Sequence, residues 1–304
     1  MPGGVDLHSH TTASDGTLTP RELVREAARR GLRVLAVTDH DSTEGLAEAL
    51  DEAARCPPLE IVPGIEINCD VDGGEIHILG YSMDYDIPWF QAFCREQREE
   101  RRARVRRMAE RLAALGMPID PAEVFALVRE GSAGRPHVAQ VMVRRGYVKS
   151  VREAFDRYLG AGKPGHVPRK KLSPEDAVRL LRRAGGVPVL AHPGLAARDE
   201  IIPALVEAGL MGIECYYNEH SAAQTGAYVQ MCRDRGLVAT GGSDFHGATV
   251  RATRGVPSLP AVVNAPHPLI WPAVTAPDTA DATLGVGRAV ENRGAWLPRP
   301  REFD

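Results

Sequence analysis

Over the first 80 or so positions the apolar residues alternate between two rhythms, one suited to strands and one to helices. Val5-Asp6-Leu7 reads as a short strand. Thr19-Pro20-Arg21-Glu22 then carries a capping box with proline at the first helical position. Leu23, Val24, Ala27 and Ala28 follow at helical spacing, and Gly31 stops the run. Val34–Thr38 reads as a buried strand, a second helix extends to about Arg55, and strands follow at Ile61–Glu66 and Ile76–Leu79. This repetition predicts an α/β fold with buried strands of the parallel type.

From Pro88 to Gly185 the strand rhythm disappears. Gln91–Arg111 is dense in arginine and glutamate before Leu112, Leu115 and Met117 enter, and helices are predicted at Ala122–Glu130, Pro136–Arg145 and Val151–Tyr158. Within this stretch, Arg95–Arg107 is expected to be a solvated helix face laced with i,i+4 pairs, with binding of an oligonucleotide tail as the alternative. Ser173-Pro174-Glu175-Asp176 opens a further helix. Strands then return at Val187–Ala191, Gly212–Cys215 and Leu237–Thr240, the last two separated by a helix from Ser221 to Arg235 that Gly236 ends. Seven strands come close to an eightfold barrel without reaching it. The expected organisation is a barrel in two parts, 1–87 and 186–257, an inserted helical subdomain at 88–185, and a Pro-rich, poorly ordered tail at 258–304.

Composition narrows the possibilities. An apolar fraction of 43% supports a proper core, and a formal charge of -3 provides no field for long duplex nucleic acid. With no basic apolar leader and no membrane-length run, the expectation is a cytoplasmic protein that does not engage membranes. The five cysteines are scattered and lack a CxxC pair, which fits reduced thiols and argues against a Cys-ligated zinc site.

The chemistry gathers at predicted strand ends. His8 and His10 project to one face of an extended segment, and Asp244 and His246 repeat that spacing after the last strand. His40, Glu66 and His192 each follow an apolar strand, and His77 lies within Ile-His-Ile. One histidine at a strand end is ordinary, but with Asp15 the set reaches six histidines and three carboxylates. Burying so many polar groups together is costly unless metals satisfy them. Ligands that are all nitrogen or oxygen suit Mn²⁺, Fe²⁺ or Zn²⁺, and nine are too many for one ion.

Asp6-Leu7-His8-Ser9-His10-Thr11, Thr38-Asp39-His40-Asp41, Gly64-Ile65-Glu66, Ala191-His192-Pro193-Gly194 and Gly242-Ser243-Asp244-Phe245-His246 resemble the motif regions of the PHP (polymerase and histidinol phosphatase) superfamily. The resemblance implies a distorted (β/α)7 TIM-like barrel holding three divalent ions, manganese first and iron or zinc as alternatives. It places His8, His10, Glu66 and Asp244 on one ion, Glu66, His77 and His192 on a second, and Asp15, His40 and His246 on the third. Asp15, within Ser14-Asp15-Gly16-Thr17, is similar to the nucleoside 3',5'-bisphosphate phosphatase and 5'-3' exoribonuclease branch. Arg135-Pro136-His137-Val138 resembles the substrate-contacting segment of that branch, and Lys163 and His220 are further candidates for substrate contact. His166 and His267 are read as ordinary residues.

The implied reaction is hydrolysis of a phosphate monoester from a small nucleotide such as a nucleoside 3',5'-bisphosphate, extending to short oligoribonucleotides from the 5' end. The expected nucleophile is a metal-bridging hydroxide held by His8, His10, Glu66, His77, His192 and Asp244. Alternatives are a histidinol-phosphate-type phosphatase, a broader 5'-3' exonuclease, and a metal-binding module without turnover.

Overall fold

The computed structural model describes residues 4–71, 74–128, 132–168 and 172–247, within one compact unit; His267 and the tail expected at 258–304 lie outside the described residues. Seven strands form one sheet in sequence order: β1 (Gly4–Asp6), β2 (Leu32–Val37), β3 (Glu60–Val71), β4 (Gly74–Tyr81), β5 (Val187–Leu190), β6 (Gly212–Tyr217) and β7 (Val238–Gly242). The last strand meets the first, since Leu7 N donates to Gly241 O at 3.2 Å and Ser9 pairs with Phe245. The sheet is thus a nearly closed, distorted seven-stranded barrel, as the sequence predicts.

Helices α1 (Pro20–Arg29) and α2 (Leu46–Ala53) follow the first two strands. Between β4 and β5, in the stretch expected at 88–185 as an inserted helical subdomain, lie α3 (Pro88–Ala114), α4 (Pro121–Phe125), α5 (Arg135–Arg144), α6 (Val151–Ala154) and a π-helical turn at Phe155–Leu159. The outer layer of the barrel resumes with α7 (Pro174–Arg183), α8 (Pro193–Ala196), α9 (Ile202–Glu207) and α10 (Ala222–Arg235). The predicted capping box of α1 is present: Glu22 N donates to Thr19 Oγ1 at 3.2 Å and Thr19 N to Glu22 Oε2 at 2.8 Å. Its apolar stripe Leu23, Val24 and Ala27 is fully buried, and each large side chain so buried contributes about 2 kcal/mol.

One strand departs from the expected parallel pattern. β4 runs antiparallel to both β3 and β5, because only two residues separate it from β3 and no crossover helix can intervene. Asp72-Gly73-Gly74 is the sequence signal for such a reversal. The consequence is local but decisive: it is the N-terminal half of β4, carrying Glu75 and His77, that reaches the ligand-bearing mouth.

Packing divides the 88–185 stretch between two cores. Phe90 and Cys94 of α3, with Val178 and Leu181 of α7, join the barrel core of Leu23, Ile65, Ile78 and Ile213. Val105, Met108 and Leu112 instead pack with Val124, Val138, Met142, Leu159 and Val167 in a second cluster. The solvated-face expectation for Arg95–Arg107 needs correcting here, because Arg101 and Arg104 are 8% and 7% exposed. Positions 94, 98, 101, 105, 108 and 112 are spaced alternately by four and three, so Arg98 and Arg101 sit in the buried stripe of α3 itself.

Candidate metal centre

Most candidate ligands are delivered by a strand end or the loop after it, whereas Glu66 and His77 lie inside β3 and β4. β1 leads into His8 and His10, and Gly16 turns the chain back so tightly that a Cβ there would lie 2.4 Å from His10 O. His40 follows β2, Glu66 lies within β3 opposite His40, and Asp244 and His246 follow β7. Asp41, His192 and Asp244 adopt left-handed backbone at φ of 50°, 26° and 51°. Strain of this kind, about 1–3 kcal/mol per residue, collects where surrounding structure enforces a functional geometry.

The nine predicted ligands converge on Glu66, which is fully buried. Its Oε2 lies 3.3 Å from His8 Nε2, 3.2 Å from His10 Nε2 and 2.8 Å from His40 Nδ1. Its Oε1 lies 2.8 Å from His77 Nδ1 and 3.2 Å from His192 Nε2. Asp244 Oδ1 is 3.5 Å from His8 Nε2, 3.2 Å from His10 Nε2 and 3.4 Å from His246 Nδ1. Asp15 Oδ1 is 3.1 Å from His246 Nε2 and 3.8 Å from both His10 Nδ1 and His40 Nε2. Three groups of ligand atoms result, each within 4.8 Å: His8/His10/Glu66/Asp244, His10/Asp15/His40/His246 and His40/Glu66/His77. His10 and His40 thus stand in two groups each, whereas His192 reaches the centre through Glu66.

These residues fit divalent ions on their own geometry. Buried atoms His8 Nε2, His10 Nε2, Asp15 Oδ1, His40 Nδ1 and Glu66 Oε2 make no hydrogen bond. Leaving so many buried polar atoms unsatisfied is costly, and a cation accepting all of these electron pairs removes that cost. The local field agrees. Burial would raise the Glu66 carboxyl, but His40, His8 and His77 hold it well below its usual range. Burial would lower His8, and Glu214, Glu66 and Asp244 hold it well above. His40 is pushed down to about 4 by burial.

Behind the ligands stands a set of buried carboxylates absent from the sequence reading. Both oxygens of Glu214 approach His8 Nδ1, at 3.1 and 3.2 Å. Asp39 accepts from Thr11 N, Thr11 Oγ1 and Ser14 Oγ at 2.8, 2.7 and 2.5 Å, tying down the loop that carries His10 and Asp15. Asp6 accepts from Ser243 N and Ser243 Oγ at 2.9 and 2.5 Å, joining the two motif segments, and burial pushes it up to about 6. The signal in the sequence is a carboxylate inside an apolar strand, as in Ile213-Glu214-Cys215.

The expected substrate contacts separate into groups. His137 is buried at the first turn of α5, accepts from Gly134 N at 3.1 Å through Nδ1, and is pushed down to about 4 by burial. The neutral ring therefore carries its proton on Nε2. The Arg135 guanidinium bonds the Glu75 carboxylate on β4 and lies 5.5 Å over the Phe155 ring, two residues along β4 from His77. Val138 is fully buried in the second core, so the expectation that it touches substrate is replaced by a packing role. Pro136 is the second residue of α5, half-buried. Lys163 is exposed on a turn, its stem against Gly160. His220 does not present a free nitrogen to the mouth: Nδ1 donates to Cys215 O at 3.0 Å and Nε2 accepts from Gly194 N at 3.1 Å, bracing the turn after His192.

A barrel whose strand ends aim this array of imidazoles and carboxylates into one pit defines a metal-dependent phosphoesterase, a hydrolase. Residues 6–163 match the PHP domain model, and the chain belongs to that family. A 3',5'-nucleoside bisphosphate phosphatase of Chromobacterium violaceum is 37% identical over 270 residues, covering 84% of this chain and 93% of that protein. The 5'-3' exoribonuclease Rnm of Escherichia coli is 36% identical over 247 residues, covering 79% and 84%. Among solved structures, a candidate metal-dependent phosphoesterase from Bifidobacterium adolescentis aligns with a TM-score of 0.76 at 32% identity, covering 85% of this chain and 91% of that one.

Proposed function

We propose that this protein removes a phosphate from a small nucleotide, a nucleoside 3',5'-bisphosphate being the preferred class, with manganese as the working ion and three ions at full occupancy. The observation that carries this reading is the convergence of the nine ligands on Glu66 with five of their atoms left without partners. His8, His10, Glu66 and Asp244 would hold one ion, Glu66, His77 and His192 a second, and Asp15, His40 and His246 the third. Geometry also offers His10 to the Asp15 group and His40 to the His77 group. When bound, divalent ions polarise phosphoryl oxygens and lower the pKa of water.

The chain's own groups supply orientation. Tyr217 donates to Asp244 Oδ2 at 3.1 Å and leaves Oδ1 turned toward the histidines. The His137 Nε2 proton is a fixed donor for a phosphate oxygen, and Arg135 adds a planar fork beside it. Nucleotide preference follows from Asp15 and from the inserted subdomain at the mouth, and the bisphosphate phosphatase similarity supports it. Five cysteines, none of them in a disulfide, suit a reducing cytoplasm.

Steady-state assays with Mn²⁺ test the substrate class. Adenosine 3',5'-bisphosphate is expected to exceed histidinol phosphate in kcat/KM, and the reverse order would refute the proposal. Arg135→Ala is expected to raise KM with little change in kcat; an unchanged profile removes Arg135 from the site. The exoribonuclease relative supports a second reading, in which short RNA is trimmed from its 5' end. Stepwise release of mononucleotides from an oligomer would favour it.

A further inference from the structure

We infer that Glu214 is a positioning residue that decides which nitrogen of His8 can bind a metal and holds the turn that carries His192. The inference rests on the metal-centre reading above. Glu214 lies on β6 and is fully buried. Its two oxygens sit 3.1 and 3.2 Å from His8 Nδ1, and His192 N donates to Oε2 at 2.8 Å. With both Glu214 oxygens accepting at Nδ1, a His8 ring that gives up one proton to a metal keeps the one on Nδ1. That leaves the lone pair on Nε2, the buried atom with no hydrogen-bond partner that faces Glu66 and Asp244.

The His192 contact extends this role to the other side of the centre. His192 adopts a left-handed backbone at φ 26°, and its amide is held in that turn by Glu214. The ring then reaches Glu66 Oε1, while His8 faces Glu66 Oε2. One carboxylate therefore orients a ligand on each oxygen of the bridging glutamate. Both partners pack closely on Gly242, where a Cβ would lie 2.2 Å from His8 Cβ and 2.8 Å from Glu214 Oε1.

Glutamine has nearly the same shape but one acceptor oxygen. In Glu214→Gln that oxygen stays on His192 N–H, the shorter contact at 2.8 Å. The amide N–H₂ then faces His8, Nδ1 must accept, and the proton moves to Nε2, which blocks the ligand atom. Aspartate keeps two acceptors on a shorter arm.

Two measurements on the full chain test this. Nitrogen-15 NMR of the metal-free protein, at a pH high enough that His8 keeps only one ring proton, is expected to show that proton on Nδ1 in the wild type and in Glu214→Asp, and on Nε2 in Glu214→Gln. Calorimetric titration with Mn²⁺ is expected to show about 10–100-fold weaker binding in Glu214→Gln, and a smaller loss in Glu214→Asp. A wild-type tautomer or wild-type Mn²⁺ affinity in Glu214→Gln overturns the inference, as does an equal loss in both variants. Should Glu214→Gln not fold, a His8 proton on Nε2 in Glu214→Asp or in the wild type overturns it equally. Failure of the wild type to take up Mn²⁺, Zn²⁺ or Fe²⁺ would sink the metal reading instead, and the tautomer measurement would still decide the role of Glu214.

Discussion

Charge is buried in two neighbouring regions of this molecule, on opposite terms. Where α3 crosses onto the barrel, Arg101 donates through Nε to Asp41 Oδ2 at 2.7 Å and through a terminal nitrogen to Asn68 Oδ1. Asp41 Oδ1 accepts from Asn68 N at 3.2 Å, and Asn68 Nδ2 lies 2.7 Å from His77 Nε2. A formal cation there meets a formal anion, and the flanking amide completes the set. A few ångströms along the same chain, the mouth buries more charge than this with five ligand atoms unpartnered. The first region is a closed account of donors and acceptors and serves structure. The second is open, and what closes it comes from outside the chain.

Removing a group should therefore have opposite signatures in the two regions. The largest effect is expected at the mouth: Glu66→Ala should lower kcat/KM by more than ~1000-fold, equivalent to about 4 kcal/mol of transition-state stabilisation. In the metal-free protein the same change should cost less stability than a cut at the junction. Near-wild-type turnover, with metal retained, would break the contrast.

At the junction, Arg101→Met should cost about 3–5 kcal/mol of stability in urea melts, because Asp41 is left buried without its cation. The Arg101→Met/Asp41→Asn pair should recover part of that loss. A cost below ~1 kcal/mol, the range of exposed pairs, would mean that water reaches Asp41.

Chelation sharpens the comparison without mutation. With free metal at about 100 times its Kd, removing it should cost about 2.7 kcal/mol of apparent stability for each ion bound. Differential scanning calorimetry with and without EDTA measures this, and Glu66→Ala should show no such difference.

The smallest effect belongs to a third place, the surface. Glu26 on α1 is lowered to about 2, first by its hydrogen bond from Arg29 and then by Arg30. A depressed carboxyl contributes stability that is fully present above its unfolded value of 4.5 and is lost as pH falls from 4.5 toward 2. Because both arginines face solvent to some degree, Glu26→Gln should remove less than ~1 kcal/mol at pH 7. The difference between variant and wild type should vanish in melts near pH 2, and a difference that persists there would assign it to packing.

Much of this was legible in the chain. The capping box at Thr19, the stop at Gly31 and the strand rhythm of Val34–Thr38 are local signals, and each element formed where its own residues predict it. The gathering of candidate ligands was legible too, since His8, His10, Asp244 and His246 carry their spacing in the sequence and a strand projects alternate residues to one face. The reversal of β4 had a signal in Asp72-Gly73-Gly74, yet the parallel rhythm around it points the other way. In α3, the spacing of Arg98 and Arg101 placed them in the buried stripe, but charge outweighs position when a helix is read alone.

Sequence by itself thus determined the elements and the candidate ligands, because those follow from rotation per residue and from side-chain chemistry, and the chemical class followed from the resemblance of its motifs to a family. Tertiary structure alone decided the pairings. That Glu66 offers Oε2 to His8, His10 and His40 and Oε1 to His77 and His192 depends on five separate segments meeting at one point. That Arg135 answers to Glu75 and His220 to two backbone groups depends on partners 60, 26 and 5 residues away in the chain. No local pattern encodes such distances. They arise when two hydrophobic cores pack and the polar groups carried on them find, or fail to find, a partner.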